Sequence, residues 1–191
     1  MSARISIATA TAPVSDMREA TCLTKDHRLF LIRPSTPDDA PQVIAAINAV
    51  CAEGIYLLTG RYVPTPQWEK VLHTPLECPD HLLLVPEMDG QVIGWCRVFP
   101  NLSPKTRHVA DVGIGLLQPF RELGIGTALM EHAMEWARAQ GLEKLTVSTF
   151  STNLRAINLF KKVGFTATGV RYRQYRVDGD DVDEVLMERF L

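Results

Sequence analysis

Arg121, Gly124 and Gly126 stand at a spacing that can hold an anion. They lie between a β-branched, glycine-bearing run, HVADVGIGLL from His108 to Leu117, and a long run with Ile125, Ala128, Leu129, His132, Ala133 and Trp136 at three- and four-residue steps. The first run predicts a short buried strand, and the second an amphipathic helix that Gly141 caps in the left-handed conformation. A strand that ends in such a turn leaves the first amides of the helix without partners, and the two glycines carry no side chain to keep a ligand away. Those amides and the positive end of the helix dipole suit a phosphate or pyrophosphate. Two phosphate-binding patterns fail on this spacing. A dinucleotide fingerprint needs a third small residue where Leu129 or Gln118 stands, and a P-loop needs Gly-Lys-Ser/Thr, which the chain lacks.

The elements that must position this turn follow from period and punctuation. Leu29 to Arg33 predicts a strand ending at Pro34. Ser35-Thr36-Pro37-Asp38-Asp39 supplies a cap, a proline and early carboxylates for a helix with Ala40, Val43, Ile44, Ile47 and Val50 on one face. Cys51 to Pro66 has no period, and its aromatics and Glu53 fit either a substrate-holding segment or a plain connector. A second helix is expected from Thr65-Pro66 through Leu72. HLLLVPEM and QVIGWCRVF flank Asp89-Gly90, a hairpin signal, and Pro86 demotes part of the first strand to an edge or a bulge. LEKLTVSTF is a further strand, Asn153 to Val163 a short helix closed by Gly164, and ATGVRYRQYRV with DVDEVLMERF a second hairpin about Asp178-Gly179. The order β-α-α-β-β-β-α-β-α-β-β is α+β, one domain with a mixed, mostly antiparallel sheet flanked by helices. Residues 1–27 read as a poorly specified tail and 28–191 as the domain.

The chain has 191 residues, room for one core that hides roughly two thirds of its unfolded surface. Its formal net charge of −2 argues against a general nucleic-acid binder. Arg171, Arg173 and Arg176 alternate with Tyr172 and Tyr175, as on a solvated sheet face or a patch for an acidic substrate group. Cys22, Cys51, Cys78 and Cys96 form no metal-ligand spacing, so no metal is expected, and they read as isolated thiols of a reducing compartment. No stretch reaches the ~18 apolar residues of a membrane helix, and the N-terminal Ala/Thr run is too polar for a signal-peptide core, so the expectation is a cytoplasmic protein away from membranes.

The turn from Leu116 to Leu129 resembles the Arg/Gln-x-x-Gly-x-Gly/Ala turn of the Gcn5-related N-acetyltransferase (GNAT) family. Asn153, Ala156, Leu159-Phe160 and Gly164-Phe165 resemble a second motif of that family, on the helix after the next strand, and the element order agrees from about Leu29 to Arg189. The run KKVGF with VRYRQYRVDGDDVDEVLME is similar to a bacterial branch that includes acetyltransferases of free amino acids. The resemblance implies direct transfer of an acetyl group from acetyl-CoA to a primary amine, most simply of a small molecule such as an amino acid. The alternatives are a protein or peptide N-acetyltransferase and a CoA-binding module without transfer activity. Family members are often dimers, which makes a homodimer the expected assembly.

By the same resemblance the backbone of Ile114, Gly115 and Leu116 would bond the pantetheine arm. Arg121 and the amides of Glu122, Leu123, Gly124, Ile125, Gly126 and Thr127 would take the pyrophosphate, and Asn153 and Phe160 would line the arm. The family's usual acid, a tyrosine on the last helix, is Phe160 here, and the glutamate that some members place on the preceding strand is Ser148. Asp111 is then the candidate base, as related small-amine enzymes carry an acid at the matching position; its other reading is a salt bridge to Arg97 or Arg107. Glu53, Tyr56 and His73 are secondary candidates. Tyr172 and Tyr175 could reach the thioester sulfur, and the three arginines, Arg173 first, could clamp a substrate carboxylate.

Overall fold

The computed structural model describes residues 19–75, 78 and 80–191. Strands β1 (Ala20–Leu23), β2 (Leu29–Pro34), β3 (Leu82–Met88), β4 (Gln91–Val92), β5 (Gly94–Pro100), β6 (Val109–Leu116), β7 (Lys144–Phe150), β8 (Thr166–Val177) and β9 (Asp180–Phe190) build one sheet. Helices α1 (Ala40–Cys51), α2 (Pro66–His73), α3 (Ile125–Ala139) and α4 (Leu154–Lys162) cover it. The order across the sheet is β1-β2-β3-β5-β6-β7-β9-β8, with β4 paired to β3. Every pairing is antiparallel except β6 with β7.

Alternation along the strands divides the core. Leu82 and Leu84 face one way with Cys96, Val98, Ala110 and Val112, under Ile125, Leu129, Ala133 and Trp136 of α3. Leu83 and Val85 face the other way with Trp95 and Phe99, under Val43, Ile47 and Val50 of α1 and Leu72 of α2. Both hairpin turns are as expected, with positive φ at Asp89, Gly90, Asp178 and Gly179, the type I′ geometry that matches strand twist.

One expectation needs correction, and of the edge and the bulge that Pro86 predicts only the second is found. Residues 20–23, assigned to the tail, are strand β1, paired with β2 from Ala20↔Ile32 to Leu23↔Leu29. Four residues of mixed polarity carry no period, so only the pairing reveals them. Pro86 does not make β3 an edge, because β3 runs between β2 and β5. It marks an irregularity instead: β5 pairs β3 up to Leu84↔Cys96, β4 resumes at Glu87↔Val92, and Ile93 N–H donates to Pro86 O at 2.9 Å.

The entry to α1 is built around a buried carboxylate. Asp39 accepts from Arg33 Nη1 and Nη2 at 2.6 and 2.8 Å and from Thr36 N at 2.7 Å, and Arg33 also reaches Glu87 at 2.8 Å. Burial pushes the Asp39 carboxyl up, but the Arg33 and Thr36 donors outweigh it and hold its pKa below the usual carboxylate range. Asp39→Asn is expected to cost on the order of 3 kcal/mol, read from the denaturant midpoint at neutral pH. A depressed folded pKa gives stability that is present above the unfolded value and lost as pH falls through the folded one. The gap between wild type and variant should therefore narrow below about pH 4.

Candidate functional site

The sheet opens where its single parallel pair ends. β6 and β7 are in register only at Val109↔Lys144, Ala110↔Leu145 and Asp111↔Thr146. Beyond that point β6 stays bonded to β5 through Leu116, and β7 stays bonded to β9 through Phe150. The strands diverge, and a cleft of about 870 Å³ lies between them, with Asp111 at its apex and Leu116 at its mouth. Five strand steps, roughly 17 Å, separate the two.

The turn stands at the mouth. Glu122 and Gly124 have φ of +65° and +92°, and a left-handed residue beside right-handed ones turns successive N–H groups toward one concavity. The first intrahelical bonds run from Thr127 and Ala128 to Gly124 O, at 3.1 and 3.2 Å, so the amides ahead of them belong to the open first turn of α3. A Cβ on Gly126 would come within 3.2 Å of Leu159 Cδ2, and its absence keeps the floor of the turn open. Gly115 is tighter still: a Cβ there would stand 2.3 Å from Trp95 Cη2, because the Trp95 ring lies across it. Trp95 is buried and also borders the cleft.

Ile114, Gly115, Leu116, Glu122, Gly124, Gly126, Thr127, Asn153 and Phe160 all border this cleft, with Leu123 and Ile125 between them in the same turn. Ile125 is itself buried in the core under α3. Asn153 caps α4, its Oδ1 accepting from Ala156 N at 3.1 Å, and Phe160 is 3% exposed against Phe165. Arg121 departs from expectation. It borders the cleft like the others, but its guanidinium is engaged in a bidentate pair with Glu53, 2.6 Å for Nη1 to Oε2, while Nε donates to Leu116 O at 2.8 Å and the group lies over the Tyr56 ring. With its donors used in this way, Arg121 ties the segment after α1 to the turn. Glu53 and Tyr56, secondary candidates from sequence, are parts of that tie.

Cations missed in the sequence flank the turn. Lys25 N donates to Leu123 O at 2.9 Å and the residue borders the cleft; Arg155 pairs with Glu122 at 3.1 Å; Lys162 Nζ reaches Thr127 Oγ1 at 3.3 Å. Arg155 and Lys162 are seven apart on α4, a same-face spacing that could have found them. Lys25 had no signal, being set by the β1–β2 hairpin.

Asp111 reaches Arg97, Oδ2 to Nη2 at 2.7 Å, and is half exposed to the cleft. Arg97 runs over Gly113 and lies 4.7 Å from the Phe99 ring centroid, so the pair is held at the apex from β5. Of the two expected partners, Arg97 is the one engaged. His73 is exposed beside Glu69, and His132 bonds its own helix at Ala128 O.

The arginine patch also departs from expectation. Arg171 pairs with Glu184 at 2.7 Å, Arg176 with Asp181, and Arg173 is 81% exposed. Arg176 borders a recess of about 430 Å³ that shares Leu57, Leu58, Phe150 and Tyr175 with the cleft. Tyr172 is exposed, whereas Tyr175 stacks on Phe150 at 4.6 Å and faces the cleft. Glu184, 4% exposed, was missed altogether. Its signal was an ionisable residue two places from the inward-facing Val182.

No group of three His, Cys, Asp or Glu among the described residues could hold a metal ion, and none of the described helices is long and apolar enough to cross a membrane. Residues 53–165 match the model of the acetyltransferase (GNAT) family. The chain is 31% identical to the L-amino acid N-acetyltransferase of Escherichia coli K12 over 151 residues, 75% of this chain and 90% of that one. It is 38% identical to an N-alpha-acetyltransferase of Sulfurisphaera tokodaii over 108 residues, 51% of this chain and 63% of that relative, so it spans less than two thirds of the latter. A GNAT acetyltransferase structure from Streptococcus pneumoniae superposes with a TM-score of 0.78 at 26% identity, covering 85% of this chain and 99% of that one. The chain belongs to the acetyltransferase (GNAT) family and is an N-acetyltransferase whose acetyl donor is acetyl-CoA.

Proposed function

We propose that this enzyme acetylates the primary amine of a small free molecule, an amino acid or a close analogue. The observation that carries the reading is the 31% identity to an L-amino acid N-acetyltransferase over 90% of that protein's length. A carboxylate at the apex of the cleft, Asp111, supports it.

In this reading acetyl-CoA supplies an acyl group already activated as a thioester. The amides from Glu122 to Gly126 hold its pyrophosphate, Thr127 N being spent on Gly124 O, and the side-chain-free Gly124 and Gly126 fit an anion there. Arg121 holds the turn through Glu53 and Leu116 O rather than touching phosphate. The unpaired edge of β6 at Ile114, Gly115 and Leu116 takes the arm, with Asn153 and Phe160 on the facing wall. An alkyl ammonium, with a pKa near ~10, must shed a proton before it can attack. Asp111 is the group at the apex that takes it, and Arg97 fixes its orientation. Phe160 has no proton to give, so the thiolate leaves without help from α4. The reduced thiols of Cys22, Cys51 and Cys96 suit a reducing compartment, in support of a cytoplasmic enzyme.

A second reading, acetylation of protein or peptide N-termini, has its own support in the 38% identity to an N-alpha-acetyltransferase. Thiol release from acetyl-CoA, measured with neutral L-amino acids, spermidine and a short unblocked peptide, separates the two. The expected result is a higher kcat/KM for an amino acid than for the peptide, and the reverse order sinks the small-molecule reading.

A further inference from the structure

Three strands converge on one buried carboxylate beside the cleft. Glu184 comes from β9, opposite Phe150 of β7 and Arg171 of β8. Tyr175 Oη donates to Glu184 Oε1 at 2.6 Å, and Arg171 Nη1 donates to Oε2 at 2.7 Å. Regular pairing would not allow this. With Arg171 opposite Glu184, a regular β8 would put Tyr175 opposite residue 180, four places from Glu184. The irregularity between Arg171 and Tyr175, with Arg173 at φ +51°, lodges two extra residues in β8 and sets Tyr175 opposite Val182. The phenol and the guanidinium then meet at one carboxylate.

Ser148 and Tyr175 border the cleft, and Glu184 lies behind them. A carboxylate only accepts, so the Tyr175 hydroxyl spends its proton on it and presents a lone pair to the cleft. Such a wall receives N–H bonds and is hostile to a thiolate. We infer that the acceptor's amino group docks on this wall, with one N–H bond taken by Tyr175 Oη, and that Glu184 is the positioning residue that sets the direction of that hydroxyl. Asp111 lines the same cleft from β6. Burial, Glu184 and its charge push the Tyr175 phenol up to about 12, so it stays protonated and keeps this orientation at neutral pH.

The inference rests on the cleft being the N-acetyltransferase site, not on the size of the amine. The test uses Tyr175→Phe and Glu184→Gln, each with whichever of the amino acids, spermidine or the peptide the wild type turns over best. For Tyr175→Phe the expected result is a 10- to 100-fold rise in KM for the amine, with the acetyl-CoA dissociation constant within about twofold. For Glu184→Gln the amine KM rises likewise, and the tyrosinate absorbance that marks Tyr175 emerges at lower pH than in wild type. An amine KM within twofold of wild type in Tyr175→Phe overturns the inference, as does an equal loss of affinity for both substrates. A peptide preference in the wild type would defeat only the small-molecule reading.

Discussion

Asp111→Asn is expected to lower kcat by roughly 10²- to 10⁴-fold, the usual contribution of a general base, while the acetyl-CoA dissociation constant changes by less than about twofold. Asparagine keeps the shape of the side chain and can still accept from Arg97, which also rests on Phe99. What it loses is the ability to take a proton. The deficit should shrink as pH rises toward the ~10 at which the amine deprotonates unaided, so a pH profile carries the diagnosis. If Asp111 serves only as the partner of Arg97, the variant would melt earlier and keep its kcat. Steady-state kinetics and a melting curve on the same preparation separate the two outcomes.

Acetyl-CoA at one hundred times its dissociation constant should raise the wild-type melting temperature by about 5 to 10 °C, from ~2.7 kcal/mol of linkage in a chain of this size. Gly115→Val should abolish most of that rise and cost about 1 to 3 kcal/mol of intrinsic stability. The cause is local. Even one added carbon at 115 would meet Trp95 ring atoms at 2.3, 2.5 and 2.7 Å, so the indole must leave its seat across β6. Its new position would crowd the strand edge proposed to hold the arm of the donor. A full thermal shift in this variant would mean that the arm does not use this stretch of β6.

Much of this was legible because it is local. Thr36 with Asp39, the residue pairs Asp89-Gly90 and Asp178-Gly179, and the apolar face of α3 each declare themselves within a few residues, and the structure has each where the period or the turn chemistry requires. The turn at Arg121 to Gly126 was equally visible, but the direction of its arginine was not. Arg121 and Glu53 are 68 residues apart, and spacing alone carries no hint of that pairing. Strand β1 was hidden for the same reason, as its identity comes from β2. The alternation of Arg171, Arg173 and Arg176 looked like one face of a strand. The irregularity within β8 breaks that face, and Glu184 and Asp181 engage all three. Period tells which way a side chain points; it does not tell which strand supplies the partner across from it.

The short parallel seam between β6 and β7 has a mechanical meaning. Three residue pairs are all that join the half of the sheet from β1 to β6 to the half made of β7, β9 and β8. Each half is internally continuous, with seven pairs between β5 and β6 and seven between β7 and β9. The molecule is therefore two stiff plates on a narrow hinge, with α3 packed along the joint. Small rotations about Asp111 change the gap at Leu116 most and the gap at the apex least. Such a lever can adjust its grip on a long donor at the mouth while the atoms that must meet at the apex keep their spacing.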